Sequence, residues 1–139
     1  MIQVKRLRDD AVVPSKAYRG DAGWDLYAVE DGEIAPGERQ LIGTGIAIAI
    51  PEGFYGRIGD RSSMAYKFGM HVLAGVIDSQ FRNEVKVLLV NLSTQTFSYK
   101  KGDRIAQLII TPINTDSLME VDTLDETQRG LGGFGSSGK

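Results

Sequence analysis

Cysteine is absent from the chain, and histidine occurs once, at His71, among 139 residues. Without cysteine there is no disulfide framework, no thiolate nucleophile and no Cys-ligated zinc. A Ser-His-Asp triad would have to use His71, and one histidine near a loop is more often a surface or packed side chain than a catalytic base. Long apolar runs are missing as well. The longest, Gly45 to Pro51, falls far short of the ~20 residues that span a bilayer. The opening MIQVKRLRDD mixes charges early and carries no apolar secretory segment. Nor is there a basic excess: 16 Lys+Arg against 18 Asp+Glu give a net charge of −2, a poor footprint for wrapping a polyanion. These absences predict a cytoplasmic protein (nuclear as an option in a eukaryotic or viral setting) with no membrane and no nucleic-acid partner. Its chemistry must rest on carboxylates, hydroxyls, amides, arginines and a borrowed metal.

The length points to one domain, able to bury about 68–70% of its unfolded surface. Glycine is abundant, 17 residues spread through the chain, and short alternating segments lie between the glycines. Ile46, Ile48 and Ile50 alternate with alanines; Val85, Val87 and Leu89 alternate with Glu84, Lys86 and Leu88; Ile2 and Val4 alternate with Gln3 and Lys5. Period two with β-branched residues predicts half-buried strands. Turn signals separate them at Asp31-Gly32, Pro36-Gly37, Pro51-Glu52-Gly53 and Lys101-Gly102-Asp103. Only Ser62 to Phe68 reads as helical, with Ser62 as its N-cap. There is no internal repeat. The pattern predicts an all-β fold, a sandwich, jelly roll or barrel, with one short helix: a β domain over residues 1–127 and a flexible Gly-rich tail over 128–139.

The tail holds two phosphate-loop look-alikes. Gly130 to Gly135 fits G-x-G-x-x-G, and Gly133 to Lys139 begins like a P-loop. Both need a strand before and a helix after, and neither flank reads that way. Arg129 and Phe134 give the same loop another use, a guanidinium and a ring that could close over an anionic ligand. Elsewhere, Asp21 and Asp25 among Gly20 and Gly23 read as turn chemistry or as a carboxylate site. Arg57 to Lys67 combines cations with Ser62 and Ser63, suited to phosphate oxygens or to an ordinary surface helix. Asp78 after Val76-Ile77 is a turn residue or a tuned base. Gln107, in a buried strand after the Gly102-Asp103-Arg104 turn, is a plain sheet residue or a site amide.

Taken in order, five segments resemble the motifs of the trimeric dUTPases (deoxyuridine triphosphate nucleotidohydrolases). They are Ala22-Gly23-Trp24-Asp25-Leu26; Arg61-Ser62-Ser63; Gly75-Val76-Ile77-Asp78 with Phe81-Arg82; Gly102 to Leu108; and Arg129 to Gly138. The resemblance implies a jelly-roll-like β fold and a homotrimer with active sites shared between subunits, hydrolysing dUTP to dUMP and pyrophosphate with Mg²⁺ on the triphosphate. It assigns Asp78 to activating the water that attacks the α-phosphorus. Arg61 and Ser62 would hold the phosphates, together with Ser63, and Gln107 would assist the phosphates and the water. Asp25 would hold Mg²⁺ through coordinated water. Uracil would be read by the backbone of a hairpin, Ala74, Gly75, Val76 and Ile77, and by the backbone near Lys86. Phe81 would pack beneath the sugar, Phe134 would stack on the base, and Arg129 with Gly135, Ser136 and Ser137 would take the γ-phosphate.

Three positions depart from the family pattern. Phe81 stands where Tyr is usual, keeping the ring and losing a phenol. Asn83 stands for Gly, as the residue that best tolerates a left-handed backbone. Asp60 stands for Pro, removing a rigid turn and adding a negative charge beside a phosphate site. A dCTP deaminase of similar fold would need a glutamate in the 72–78 segment, which has none. A nucleotide-binding regulatory protein on the same trimer, with weak or no turnover, is the alternative from another class.

Overall fold

A computed structural model describes residues 1–139. Eleven strands and one helix follow in chain order: β1 (Gln3–Arg6), β2 (Trp24–Tyr27), β3 (Gly32–Ile34), β4 (Arg39–Gly43), β5 (Ile46–Ala49), β6 (Phe54–Gly59), α1 (Ser62–Phe68), β7 (Met70–Leu73), β8 (Val76–Ile77), β9 (Lys86–Asn91), β10 (Phe97–Tyr99) and β11 (Arg104–Pro112). All pairings are antiparallel. One sheet runs β2-β11-β6-β8, a second β4-β9-β7, and the pairs β1-β5 and β3-β10 complete the jelly-roll-like body. No helix is long and apolar enough to cross a membrane.

Both sheets feed one core. Leu26, Ile105 and Leu108 from the first meet Met70, Val87 and Leu89 from the second, with Ile34 and Ile46 from the flanking pairs. Full burial of each such side chain stabilises the fold by about 1.5–3 kcal/mol. Strand β9 shows the alternation read from sequence, with Val87 and Leu89 inside and Lys86 exposed. Strand β5 is covered on both faces, because Ala47 is small enough to be buried between Ile46 and Ile48. Gly32 opens β3 rather than bending a turn; a Cβ there would overlap the Tyr99 ring.

Helix α1 is capped differently from expectation. Arg61 is the N-cap, extended at φ −84°, ψ 134°, with no side-chain cap bond, and Ser62 is the first helical residue. The helix ends at Gly69 in the left-handed region, φ 68°, where glycine bears no Cβ penalty. The last strand ends at Pro112. Residues 113–127, assigned from sequence to the β domain, carry no strand or helix and lie exposed.

Asn91 is fully buried and fully used. Its amide donates to the Ile34 and Gln95 carbonyls, both at 2.8 Å, and its oxygen accepts from the Ser93 N–H (2.9 Å) and hydroxyl (2.7 Å). One side chain thus ties the end of β9 to β3 and closes the following turn. Asn91→Ala should cost about 2–4 kcal/mol, because the buried Ile34 carbonyl loses its donor and the turn after β9 loses its tie; chemical denaturation measures it.

On the surface, Arg8 pairs with Asp10 (2.9 Å) and Glu30 (2.8 Å), and Lys101 pairs with Asp10 (2.5 Å). The Lys101 N–H donates to Asp31 at 2.9 Å. Hydrogen bonding from Arg8 and Lys101 holds the Asp10 carboxyl well below its ordinary range, and the Lys101 N–H with Lys100 lowers Asp31. Depressed carboxylate pKa values stabilise the fold above the unfolded value, about 3.9, and that contribution fades as pH falls below it. Solvent screening keeps it small: Asp10→Asn should lower Tm at pH 7 by no more than about 2 °C. The gap should narrow in thermal melts below about pH 4.

Candidate active site

Asp25, Arg61, Arg104 and Gln107 gather where β2, β11 and β6 run side by side, and an irregularity in β11 brings them into line. Arg104 pairs with Tyr27 and Ala106 with Leu26, so Ile105 is one residue too many on its strand. Such a bulge shifts everything beyond it by one place and re-aims the side chains. As a result Gln107 faces Asp25 on one side and Gly59 on the other. Ile105 and Ala106, consecutive on the bulged stretch, are both buried.

Around this register Asp25 is held by two arginines. Arg61 Nε donates to Oδ1 at 3.0 Å, and Arg104 Nη1 lies 3.4 Å from Oδ2; the carboxylate is 17% exposed. Arg61 also donates to the Arg104 carbonyl, 3.0 Å, which couples the start of α1 to the start of β11. Gln107 Nε2 donates to the Asp60 carbonyl, 2.7 Å. Gly23 makes room for that side chain, since a Cβ there would overlap the Gln107 amide oxygen. Beside the cluster, Arg61, Ser63, Arg104 and Asp103 line an open depression with Met64, Phe68, Phe97 and Ile105. Two guanidiniums against one carboxylate leave positive charge for an anion, with a planar fork suited to phosphate oxygens. Ser62 is exposed at the first position of α1, next to this depression in sequence.

Asp78 lies apart from this cluster. It follows β8 and lines a different depression, with Phe54, Tyr55, Val76, Ser79 and Ile113. The segment leading to it is a corner rather than a paired hairpin: β7 joins β9, whereas β8 joins β6. Ala74 and Gly75 make that corner at φ 56° and 95°, and a left-handed alanine stores roughly 1–2 kcal/mol. The Gly75 carbonyl accepts from the Ile58 N–H at 2.7 Å. Phe81 is exposed after the Asp78 turn, and Lys86 starts β9 opposite Gly43. Asn83 does not use a left-handed backbone; its side chain instead accepts from the Glu84 N–H, 2.7 Å. Arg129 folds back onto the Gly132 carbonyl (3.0 Å), and Phe134, Gly135, Ser136 and Ser137 lie exposed in the tail. One chain therefore holds the cations and Gln107 in one place, and Asp78 and the tail in others.

Two participants escaped the sequence reading. Arg104 carried no assigned role there, although its GDR turn places it one step before the bulge. Asp60 was read as a negative charge beside the phosphates, yet its carboxylate turns to the Val72 N–H and the His71 ring, both at 2.6 Å.

The model of the dUTPase family matches residues 9–138. The chain belongs to the dUTPase family. It is 46% identical to a deoxyuridine 5′-triphosphate nucleotidohydrolase of Nautilia profundicola, over 99% of each chain. Among solved structures it is similar to a mutant dUTPase of Staphylococcus bacteriophage 80alpha with dUpNHpp. That match has a TM-score of 0.95 and 29% identity, covering 100% of this chain and 99% of the other. It also resembles a mutant dUTPase from phage phi11 of S. aureus, described with a structural Mg(II) ion, at TM-score 0.85 and 26% identity over 91% and 99%. For this dUTPase, Gly23→Ala should expel Gln107 from its place on the Asp60 carbonyl at a cost of about 1–3 kcal/mol, as overpacking does. Denaturation of the variant and its crystal structure would check both parts.

Proposed function

We propose that this dUTPase hydrolyses dUTP to dUMP and pyrophosphate, with its active site assembled from several copies of the chain in a homotrimer. The observation that carries the reading is the Asp25–Arg61–Arg104 cluster with Gln107 aligned beside it by the bulge, in a chain whose family model spans residues 9–138. The separation of Asp78 from that cluster supports a site completed by a neighbour. The hydrolytic name shared by its relatives favours turnover over the regulatory alternative.

In the proposed reaction, a water oxygen bonds to the α-phosphorus while the bond to the bridging oxygen breaks and pyrophosphate leaves. Asp78 of one subunit accepts the water's proton. Arg61, Ser62, Ser63 and Arg104 of another subunit hold the phosphate oxygens, and Gln107 orients the water or the phosphate it attacks. Positioning and charge neutralisation are most of what phosphoryl-type substitution asks of a protein. Backbone groups of Ala74 to Ile77, with Lys86, read uracil, and Phe81 packs under the sugar. Arg129, Phe134, Gly135, Ser136 and Ser137 close over the nucleotide as a lid formed by residues 128–139, excluding water.

Mg²⁺ fits this arrangement as a substrate-borne ion. No group of three or more His, Asp or Glu side chains is placed to hold a metal, and Asp25 is the carboxylate set among the phosphate-binding arginines. Mg²⁺ keeps several waters and leans on phosphates, so Asp25 would reach it through coordinated water. When bound, the ion would neutralise phosphate charge.

Purified protein with Mg²⁺ should release pyrophosphate from dUTP and much less from dCTP, dTTP or UTP. Asp78→Asn should retain nucleotide binding and lose at least about 10²-fold in kcat; unimpaired turnover would remove Asp78 as the base. Deleting Arg129 to Lys139 should leave the sedimentation of the assembly unchanged and abolish most turnover. Full activity of the truncated chain would sink the lid.

A further inference from the structure

The Gln107 amide is aimed by one acceptor, the Asp60 carbonyl at 2.7 Å, and that carbonyl belongs to a residue fixed from the opposite side. Asp60 lies in the short connection between β6 and α1. Its Oδ1 accepts from the Val72 N–H and its Oδ2 is bonded to His71 Nδ1, each at 2.6 Å. Both partners are on β7, the edge strand of the other sheet. The carboxylate therefore pins the 59–61 connection to the second sheet while its own peptide carbonyl faces the first. Arg61, the next residue, makes no ion pair with it and keeps its guanidinium on Asp25.

From this geometry we infer that Asp60 is a positioning residue for the reaction proposed above, acting through its carbonyl on Gln107, with His71 as the strut that holds its carboxylate. The role rests on the dUTPase reading, but the linkage itself does not require turnover. Capping the Val72 N–H would be useful to an edge strand on its own account. Two features point beyond that. The side chain is held by two donors rather than one, and the same residue supplies the acceptor that orients Gln107. An amide can present its oxygen or its NH₂ group to a ligand, and the Asp60 carbonyl decides which.

The first measurement is the side-chain amide signal of Gln107 in ¹⁵N-labelled protein. Asp60→Ala should move the two Gln107 NH₂ resonances toward solvent-exposed values and speed their exchange. Asp60→Asn, which still accepts from Val72 and meets the ring nitrogen, should leave them near the parent positions. His71→Ala, at a ring 53% exposed and so tolerant of change, should move them in the same direction as Asp60→Ala and by less. It also serves if Asp60→Ala fails to fold. Unmoved Gln107 signals in folded Asp60→Ala, or in His71→Ala should the former not fold, overturn the linkage whether or not dUTP is hydrolysed.

Kinetics then test the role. Asp60→Ala should lower kcat roughly 10–100-fold, the scale of a small misplacement at the reacting centre, with KM changed by less than about threefold. Asp60→Asn should restore most of kcat. Combined with Gln107→Ala, Asp60→Ala should add little, because both remove one function. Additive losses, or a loss confined to KM, overturn the positioning role. Failure of the parent protein to release pyrophosphate refutes the hydrolase reading while the Gln107 signals still decide the linkage.

Discussion

Strand β11 is held on both edges, by β2 and by β6, and its extra residue at Ile105 sets the phase of everything beyond it. A strand so placed cannot slip by one position without turning its apolar set outward. Ile105, Ala106 and Leu108 are locked into the core, so Gln107 has one place to be. The hydrophobic core and the alignment of the site are thus enforced by the same packing. Asp25, Gln107 and Gly59 occupy one row across three strands, and strands hold such a row more rigidly than loops would.

Electrostatics then act locally against the charge of the whole chain. The protein carries a net charge of −2, yet Arg61 and Arg104 converge on a single, half-buried carboxylate. Asp25 keeps the two guanidiniums from repelling one another out of place, while the pair retains an excess positive charge. On the proposed reading, that combination would hold an anion site ready before the anion arrives, a form of preorganisation that avoids rearrangement during reaction.

Much of this architecture could be read from residues alone. The alternating valines and leucines of β9 and the isoleucines of β5 were plain, because apolar residues recur at period two and glycines separate them. The bulge was not legible: Ile105 and Ala106 are both apolar, and an extra buried residue leaves the alternation looking like a fully buried strand. The Ser62 cap was misplaced because Arg61 already has the extended backbone of an N-cap, and no side chain satisfies the first turn. Asn83 was assigned by analogy to a backbone shape it does not take, since its side chain has a local N–H to accept. The candidate residues of the site were named as a set from the ordered motifs. Their addresses were not, because which sheet and which edge each one reaches depends on β7 and β8 parting to different sheets. Asp60 shows the same limit: its charge was visible, and the direction of its carboxylate depended on an edge-strand donor twelve residues away.

Two depressions, one with the arginines and one with Asp78, lie apart within each chain. On the proposed reading, one chain supplies the arginines, another supplies Asp78, and turnover is a property of several. Specific activity would then climb with protein concentration until assembly saturates. Expression level would in that way become a control on the reaction that acts without any ligand, and a chain with a defective Asp78 would silence sites whose arginines are intact.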